Sequence, residues 1–370
     1  MVLSVDDSYA VNLLTSLVNI PSAYPEEYDI MLFLEEEFTR LGLAPTRMPI
    51  AERRFNLLAS IGEGRPVLCL NAHADTVQES GNSVPQARIE GDVLYGLGSM
   101  DDKASIAAIM AAAKAILDSG IKLKGRLDIL ISVDEEGDAK GVKTAIEQGY
   151  KCDMAITGEG ASLGIVPRHC GLIFLEIVTH GKSTHGSIPM EGINAIECMY
   201  ELVTGLRAVV TDYPPDPMVG PPTLNLGIIR GGDRPNRVPD RCEASVDIRL
   251  VPPMTVELML ERIADYFKIW GDRADYNVTK RVGPLNTPVD SPLVAKLITA
   301  NEQARELTPP IVGWRGWTEA QSFQSGLGID SVVFGPGALR QAHSANEFVE
   351  LAEVRQAARV YAQFALDVLS

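Results

Sequence analysis

Histidine and acidic side chains stand where several apolar segments of the sequence end. His73 and Asp75 are two residues apart in NAHADTV, at the end of an apolar run. On an extended strand, side chains with that spacing leave the same face, so the carboxylate would lie behind a metal-binding imidazole. By itself, H-x-D is also typical of a loop histidine with an acidic neighbour. The pair predicts a metal ligand only in combination with other residues.

A glycine-rich segment, YGLGSMDDKAS (95–105), precedes an alanine-rich stretch and carries Asp101 and Asp102. A dinucleotide-binding loop is one alternative. The third glycine of that motif is absent, however, and Asp101 stands in its place, where its charge would repel a pyrophosphate. Asp102 would suffice to cap the following helix, which leaves Asp101 free to act as a ligand.

Three consecutive acids follow an apolar run in ISVDEEGD (131–138). A solvated turn is the alternative, because adjacent carboxylates in a closed site repel one another unless cations are present. Neighbouring side chains on extended backbone diverge, so we expect Glu135 and Glu136 to do different work, one on a metal and one on a water molecule. Glu159 ends the next apolar run in the same way.

The other histidines lie in different contexts. His185 is part of THGKSTHGSIPMEGINAI, and His343 follows the glycine-rich FGPG (334–337). The contexts of His169 and His180 predict structural roles. Ligands of open α/β sheets bind at the carboxyl ends of the strands, so we expect the strand-end residues to meet there. Two histidines and three carboxylates, without cysteine, suit two divalent ions such as zinc, cobalt or manganese.

Alternating helical and strand patterns must position these residues. The patterns predict helices over 7–19, 27–41 and 104–117 and strands over 67–74, 126–133 and 153–157. The strands are short apolar runs, typical of a sheet that is buried on both faces. This alternation predicts an α/β fold with a mainly parallel sheet.

The middle of the chain has another pattern. A strand over 171–181, a helix over 192–210, two alternating strands, a helix over 255–269 and a strand at DYNVTKRV follow one another, which is the ferredoxin-like order. After about residue 286 the α/β pattern returns and ends in a helix over 350–369. We therefore predict a metal-binding catalytic domain of residues 1–171 and 286–370, interrupted by an α+β domain of residues 172–285.

The composition is that of a globular enzyme, with 370 residues, of which 46% are hydrophobic and 22% are charged. No uncharged apolar run reaches the roughly 18 residues of a membrane span, and the N-terminal segment lacks the pattern of a signal peptide. The net charge of -16 argues against a nucleic-acid partner. Five scattered cysteines, never in a C-x-x-C pair, predict reduced residues in a cytoplasmic protein.

Taken in order, seven segments resemble one family: HADTV, GLGSMDDK, DEEG, TGEG, GKSTHGSIPMEGINAI, GGDRPNRVPDRCEASVDIR and GPGALRQAHSANE. It is the family of two-zinc peptidases and deacylases that includes acetylornithine deacetylase, succinyl-diaminopimelate desuccinylase, aminoacylase and the glutamate-releasing carboxypeptidases. The resemblance runs from about residue 10 to about residue 365. It implies hydrolysis of the amide bond of an N-acyl amino acid, with a carboxypeptidase or dipeptidase on the same two-metal centre as the alternative. A relative without metal that only binds an amino acid derivative is disfavoured, because Glu135 and every ligand position are retained.

The resemblance also implies which residues form the metal centre. The ligands would be His73 and Glu159 on one ion, Glu136 and His343 on the other, and Asp101 on both. Asp75 would hold the ring of His73. Glu135 would be the general acid and base that acts with a metal-bridging hydroxide.

Substrate contacts are implied as well. The inserted domain would pair two subunits, and His185 would cross the interface to bind the oxyanion in the partner's site. The substrate carboxylate would be bound by Asn236, Arg249 and backbone N–H groups of the Gly335–Gly337 loop. The segment WRGWTEA departs from the family pattern, with Trp317 where many relatives have glycine, beside Trp314 and Arg315. The shape of the acyl pocket therefore does not follow from the resemblance.

Overall fold

A computed structural model describes residues 3–78, 86–344 and 346–370. The chain forms two compact units. The first comprises the chain up to Pro167, Thr287–Val312 and Thr318–Ser370, and the second comprises Arg168–Asn286 and Gly313–Trp317. Residues 313–317 thus belong to the second unit, although they lie within the range predicted for the catalytic domain.

The described residues form nine α-helices and sixteen strands. The helices are α1 (Asp7–Val18), α2 (Tyr28–Arg40), α3 (Lys103–Ser119), α4 (Gly141–Glu147), α5 (Ala195–Thr211), α6 (Val256–Lys268), α7 (Pro292–Arg305), α8 (Ala320–Leu327) and α9 (Leu351–Leu369). The strands are β1 (Thr46–Ala51), β2 (Arg54–Gly62), β3 (Val67–His73), β4 (Arg88–Glu90), β5 (Val93–Tyr95), β6 (Arg126–Ser132), β7 (Met154–Thr157), β8 (Ile165–His169), β9 (Gly171–His180), β10 (Thr223–Gly231), β11 (Arg241–Leu250), β12 (Ala274–Val282), β13 (Leu285–Asn286), β14 (Ile311–Trp314), β15 (Ser331–Val333) and β16 (Phe348–Glu350).

The main sheet of the first unit runs in the order β1-β2-β6-β3-β7-β15-β8. Its four central strands, β6, β3, β7 and β15, are parallel, which confirms the predicted α/β fold. The pairs at both ends, β1 with β2, β2 with β6, and β15 with β8, are antiparallel. All seven residues of β3 are buried, as expected for a strand covered on both faces.

Helix α3 passes through the core of the first unit. It packs against α1 and α9, and most of its residues are buried. Its repeated alanines allow this close packing because their side chains are small. The predicted helices over 7–19, 27–41, 104–117 and 350–369 are all present, with ends within two residues of the prediction. None of the helices in the described ranges is long and apolar enough to cross a membrane.

The second unit contains β9, α5, β10, β11, α6 and β12 in chain order, as predicted for a ferredoxin-like arrangement. Its antiparallel sheet runs in the order β10-β11-β9-β12. Both helices begin at side-chain caps, because Asn194 accepts hydrogen bonds from the N–H groups of Ile196 and Glu197, and Thr255 accepts one from Leu258. Their apolar faces share one core with the sheet.

Candidate active site

The parallel strands bring the predicted site residues of the first unit to one sheet edge. His73 is the last residue of β3 and lies opposite Ser132, the last residue of β6. Asn71 of β3 lies opposite Thr157, the last residue of β7. The strands end in register. The acids after β6 therefore emerge beside His73, and so does Glu159, which follows β7.

The imidazole of His73 is the centre of the first group. Its Nε2 lies 3.1 Å from Asp101 Oδ1 and 3.5 Å from Glu159 Oε1. Its Nδ1 lies 3.0 Å from the backbone carbonyl oxygen of Asp75 and 3.4 Å from the carboxylate of the same residue. The ring of His73 is therefore closer to the backbone carbonyl oxygen of Asp75 than to its carboxylate.

His343 is the centre of the second group. Its Nε2 lies 2.8 Å from Glu136 Oε1 and 3.5 Å from Asp101 Oδ2. The two carboxylate oxygens of Asp101 thus face different histidines, Oδ1 toward His73 and Oδ2 toward His343. An aspartate in this position is suited to join two cations.

Asp75 connects the two groups through the main chain. Its Oδ2 accepts a hydrogen bond of 2.9 Å from the backbone N–H of Glu136. Asp75 is fully buried. The loop after β3 and the acidic turn after β6 are therefore held together by one carboxylate.

The site concentrates negative charge in a buried place. Burial and the neighbouring charge of Asp101 together raise the pKa of Glu159 to about 7. Burial also raises the pKa of Glu135 well above its ordinary value, and Glu159, Glu136 and Asp101 add to this effect. Without cations, such carboxylates hold protons to reduce their repulsion. A pair of divalent ions would take the place of those protons.

The two histidines respond to the same charges. Burial lowers the pKa of His73, but hydrogen bonds to Asp101, Asp75 and Glu159 outweigh burial and leave this pKa well above its ordinary value. The hydrogen bond to Glu136 raises the pKa of His343 to about 9. Protons on these rings would have to leave before a metal could bind, because only neutral imidazole is a ligand.

The donor set fits divalent metal ions. In the described residues, two groups have ligand atoms within 4.8 Å of one another: His73 with Asp102 and Glu159, and Asp101 with Glu136 and His343. Imidazole nitrogen and carboxylate oxygen without thiolate are the ligands of zinc, cobalt or manganese sites of this kind. Glu135 belongs to neither group, although it lies among the same charges.

Asp102 differs from its sequence-based assignment. It precedes α3, but its side chain makes no capping hydrogen bond. Instead, Asp102 Oδ2 accepts a hydrogen bond of 3.3 Å from the backbone N–H of His73. Burial and the charge of Glu159 raise the pKa of Asp102 well above its ordinary value. The carboxylate that was expected to cap the helix therefore faces the metal centre.

Glu347 is a site residue that the sequence analysis did not single out. Its carboxylate is almost fully buried. It accepts backbone hydrogen bonds from Gly98 at 3.0 Å, Met100 at 2.8 Å and Asp101 at 3.0 Å. The pairing of β16 with β5 brings Glu347 to this loop. Its one sequence signal is an acid directly before a short strand, four residues after His343.

The glycines at 335 and 337 have close neighbours in the fold. A Cβ on Gly335 would lie 2.5 Å from the backbone oxygen of Glu159, and one on Gly337 would lie 2.1 Å from Met100 Cγ. The N–H of Gly337 donates to Glu353 Oε2 at 2.6 Å. This N–H thus has an acceptor within the chain, and its binding of the substrate carboxylate stays a prediction. The corresponding role of Gly335 stays a prediction.

The remaining predicted residues lie in the second unit. His185 Nδ1 lies 2.8 Å from Ser187 Oγ and accepts a hydrogen bond of 3.2 Å from the N–H of Ser187. The backbone of Asn236 accepts from Gly186 at 2.8 Å, which places it beside His185. Arg249 donates to Asp247 Oδ2 from Nη2 at 2.9 Å and from Nε at 3.1 Å.

Residues 314–317 of the segment that departs from the family pattern are also in the second unit. Arg315 donates to the backbone oxygens of Val219 and Pro221 and to the hydroxyl of Thr223. Its guanidinium therefore fixes the proline-rich loop YPPDPMVGPP (213–222). Trp317 is buried, and Lys280 lies over its ring.

His169 and His180, which were predicted to be structural, belong to neither group of metal-ligand candidates in the described residues. His169 is buried beside the carbonyl oxygen of Cys170, and burial lowers its pKa to about 4. His180 Nε2 lies 2.8 Å from Asp275 Oδ2 at the surface.

Fold and site together define a metal-dependent hydrolase of the α/β class, and comparison with known proteins gives its family. Residues 69–367 match the profile of peptidase family M20/M25/M40. Acetylornithine deacetylase from Yersinia pseudotuberculosis serotype O:1b is 34% identical over 339 residues, which cover 85% of this chain and 84% of that protein. The acetylornithine deacetylase of Pectobacterium atrosepticum is 33% identical over 333 residues, with the same coverage of 85% and 84%.

Solved structures of the family share the fold. A tripeptidase from Staphylococcus aureus matches with a TM-score of 0.84 and 22% identity, over 98% of this chain and 99% of that one. An M20 family metallo-carboxypeptidase from Sulfolobus solfataricus matches with a TM-score of 0.82 and 21% identity, over 96% of this chain and 98% of that one. The chain belongs to the M20/M25/M40 peptidase family. It is an amide hydrolase, as the resemblance implied.

Proposed function

We propose that this protein removes the acyl group from the nitrogen of N-acyl amino acids, with acetylated substrates first among them, and that two divalent ions serve the reaction. The observation that carries the proposal is the position of Asp101 between His73 and His343. The similarity in sequence to acetylornithine deacetylases favours a deacylase. A carboxypeptidase or dipeptidase on the same centre is the second candidate, because the matched solved structures include a tripeptidase and a carboxypeptidase.

The proposed ligands are His73 and Glu159 for one ion, Glu136 and His343 for the other, and Asp101 for both. Zinc is the first candidate for each ion, with cobalt or manganese as alternatives. When bound, the ions acidify a water molecule and polarise the acyl carbonyl. The chain itself orients these ligands through Asp75, Asp102 and Glu347.

Glu135 is the proposed general acid and base. Its carboxylate is not part of either ligand group in the described residues, and its pKa is raised by burial and by neighbouring acids. A base of this kind takes a proton from water as it attacks and then delivers the proton to the departing nitrogen. The leaving nitrogen must be protonated because an amide anion is a poor leaving group.

His185 is the proposed donor to the oxyanion. Since the N–H of Ser187 donates to His185 Nδ1, that nitrogen carries a lone pair and the proton of the neutral ring lies on Nε2. The Nε2–H is thereby directed away from its own turn and can donate to a substrate oxygen. One such donor typically stabilises a transition state by about 3–4 kcal/mol.

The second unit supports the proposal of a homodimer. Strand β10 is an edge of its sheet and exposes Ile228 and Ile229. Ile196 and Tyr200 are exposed on α5, which packs against β10. An apolar edge of this kind is suited to a twofold contact with a second copy. In such a dimer His185 would serve the partner's site, and Asn236 and Arg249 would bind the substrate carboxylate.

The five cysteines are free and buried, as predicted. Reduced thiols of this kind support the proposed cytoplasmic location.

The first test separates the two adjacent glutamates. We expect Glu135→Ala to keep both metal ions and lose nearly all turnover, and Glu136→Ala to lose metal. Metal content per subunit and steady-state rates should be measured on N-acetyl amino acids and on dipeptides. Equal loss of metal in both variants would contradict the roles of Glu135 and Glu136, and faster cleavage of dipeptides would favour the peptidase.

The second test concerns the dimer. Glu135→Ala and His185→Ala should each be nearly inactive, and an equal mixture, unfolded and refolded together, should recover about a quarter of wild-type activity if His185 acts across a twofold interface with random pairing. Mixed dimers without any recovery would show that His185 acts within its own subunit.

A further inference from the structure

We propose that Arg54 is a positioning residue for catalysis, because it fixes the acidic turn that carries Glu135 and Glu136. Arg54 is the first residue of β2, and within the described residues it forms no hydrogen bond or ion pair with either glutamate. It acts through Asp134, the residue directly before them. The proposal rests on the proposed role of Glu135, and its test includes a measurement that does not depend on activity.

Arg54 binds two carboxylates that are fully buried. Its Nε and Nη2 donate to both oxygens of Glu27, at 2.8 and 2.5 Å. Its third nitrogen, Nη1, forms an ion pair of 2.8 Å with Asp134 Oδ2. The side chains of Glu27 and Asp134 are both 0% exposed, and that of Arg54 is 14% exposed. The single positive charge of the guanidinium is therefore shared between two carboxylates, away from water.

Asp134 organises the turn from inside. Its backbone has φ of 76°, a left-handed conformation that is uncommon for a residue other than glycine. Its Oδ1 accepts from the N–H groups of Asp138 at 2.8 Å and Lys140 at 3.3 Å, and its backbone oxygen accepts from Ala139 at 2.8 Å. The turn thus closes around the aspartate that Arg54 holds.

The same arginine supports the other side of the turn. Its guanidinium lies 4.9 Å from the ring centre of Tyr24. This ring packs against Gly137, where an added Cβ would come within 2.1 Å of Tyr24 Cε2. The backbone N–H of Tyr24 donates to Thr76 at 2.9 Å, just after the metal-ligand candidate His73 and its neighbour Asp75. Arg54 therefore contacts Tyr24, which binds the loop after β3, and both Tyr24 and Asp134, which hold the acidic turn.

Lysine cannot replace these contacts. A guanidinium offers five N–H donors in a planar fork, which is what a bidentate contact with Glu27 and a contact with Asp134 together require. An ammonium group is a point charge that can approach one of the two carboxylates closely. The other carboxylate would stay buried without its partner, and the turn would be free to shift.

Arg47 provides a matched control. Like Arg54, it binds both oxygens of one glutamate with two nitrogens, in this case Glu35 of α2 at 2.7 and 2.5 Å, and it lies over an aromatic ring, that of Phe55, at 4.5 Å. Its contacts are with the neighbouring strand and helix, not with the acidic turn. Arg54→Lys and Arg47→Lys therefore make the same chemical change, the first at a buried site beside the acidic turn and the second at a more exposed site away from it.

The experiment compares Arg54→Lys, Arg54→Met and Arg47→Lys as full-length, metal-loaded proteins. We expect kcat on an N-acetyl amino acid to fall about 10- to 100-fold in both Arg54 variants, because a displaced base loses alignment with its proton. KM should change less than about twofold, since the substrate contacts remain. Metal content should stay at the wild-type level, since four of the five proposed metal ligands lie outside the acidic turn. Amide hydrogen exchange in residues 134–140 should be faster in both. Arg47→Lys should resemble wild type in every measurement.

Two results would overturn the proposal. One is wild-type protection of residues 134–140 in Arg54→Lys, and the other is faster exchange with an unchanged kcat. If Arg54→Met does not fold, Arg54→Lys decides the matter alone. If the wild-type protein cleaves no N-acyl amino acid, the proposed function fails, and the exchange measurement still shows whether Arg54 holds the turn.

Discussion

Glu347 provides the most demanding test of how the metal centre is held. Its carboxylate accepts the N–H groups of Gly98, Met100 and Asp101, and Asp101 is the residue that faces both histidines. Glu347→Gln keeps the shape of the side chain and removes its charge. The Gln oxygen can keep two of the three bonds, but its NH₂ group then faces the N–H of Gly98, and one buried donor loses its acceptor.

The expected loss of stability follows from these three bonds. An unsatisfied buried donor costs about 1–3 kcal/mol, and replacing a charged acceptor by a neutral one weakens each remaining bond by about 1 kcal/mol. The sum is about 3–5 kcal/mol in the free energy of unfolding. Burial raises the pKa of Glu347 to about 7, so the comparison should be made at pH 8, where the wild-type carboxylate is ionised.

The loop that carries Asp101 would also become less ordered. Loss of a group that orients a metal ligand typically weakens metal binding about 10- to 100-fold. Chelator competition would measure this affinity, and urea unfolding of the metal-free protein would measure stability. Asp216→Asn is the control, because Asp216 is a buried carboxylate of the second unit that accepts N–H groups of Met218 and Val219, both at 2.8 Å. It should lose stability and keep its metal affinity. Wild-type metal affinity in Glu347→Gln would refute the reasoning.

Three further predictions follow from the site. First, the folded metal-free chain holds extra protons. Burial raises the pKa from 4.5 to about 7 for Glu159 and for Glu319, a buried carboxylate that accepts a hydrogen bond from Ser132. The hydrogen bond to Glu136 raises the pKa of His343 from 6.5 to about 9. The stability of the metal-free chain should therefore fall as the pH rises from 4.5 to 9. Added zinc should raise the melting temperature more at pH 8 than at pH 5. Equal effects of zinc at both pH values would contradict this prediction. Second, Gly337→Ala should lower the free energy of unfolding in urea by about 2–5 kcal/mol, because φ is 83° and the new Cβ meets Met100. Gly91→Ala is the control, in open space with φ of 62°, and should lower it by about 1–2 kcal/mol. Third, Arg249→Ala should mainly raise KM for substrates with a free α-carboxylate, and equal hydrolysis of the corresponding amides by the wild-type enzyme would exclude this role.

The sequence by itself determined the elements and the places where chemistry could occur. The seven consecutive buried residues of β3 and the alanine-rich α3 are encoded by local hydrophobic patterns, which depend on residues close together in the chain. The strand-end rule then predicted that His73, the acids after β6 and Glu159 would share one edge. These inferences succeed because periodicity and strand order are properties of short segments.

Tertiary structure alone decided how the acids are held. Asp102 has the sequence context of a helix cap, yet it accepts the N–H of His73, from a strand 29 residues earlier. Glu347 reaches the N–H of Asp101 across 246 residues. Arg54 meets Asp134 because β2 pairs with β6. No local pattern encodes such contacts, since a buried carboxylate takes whichever donors the packed strands and loops bring to it.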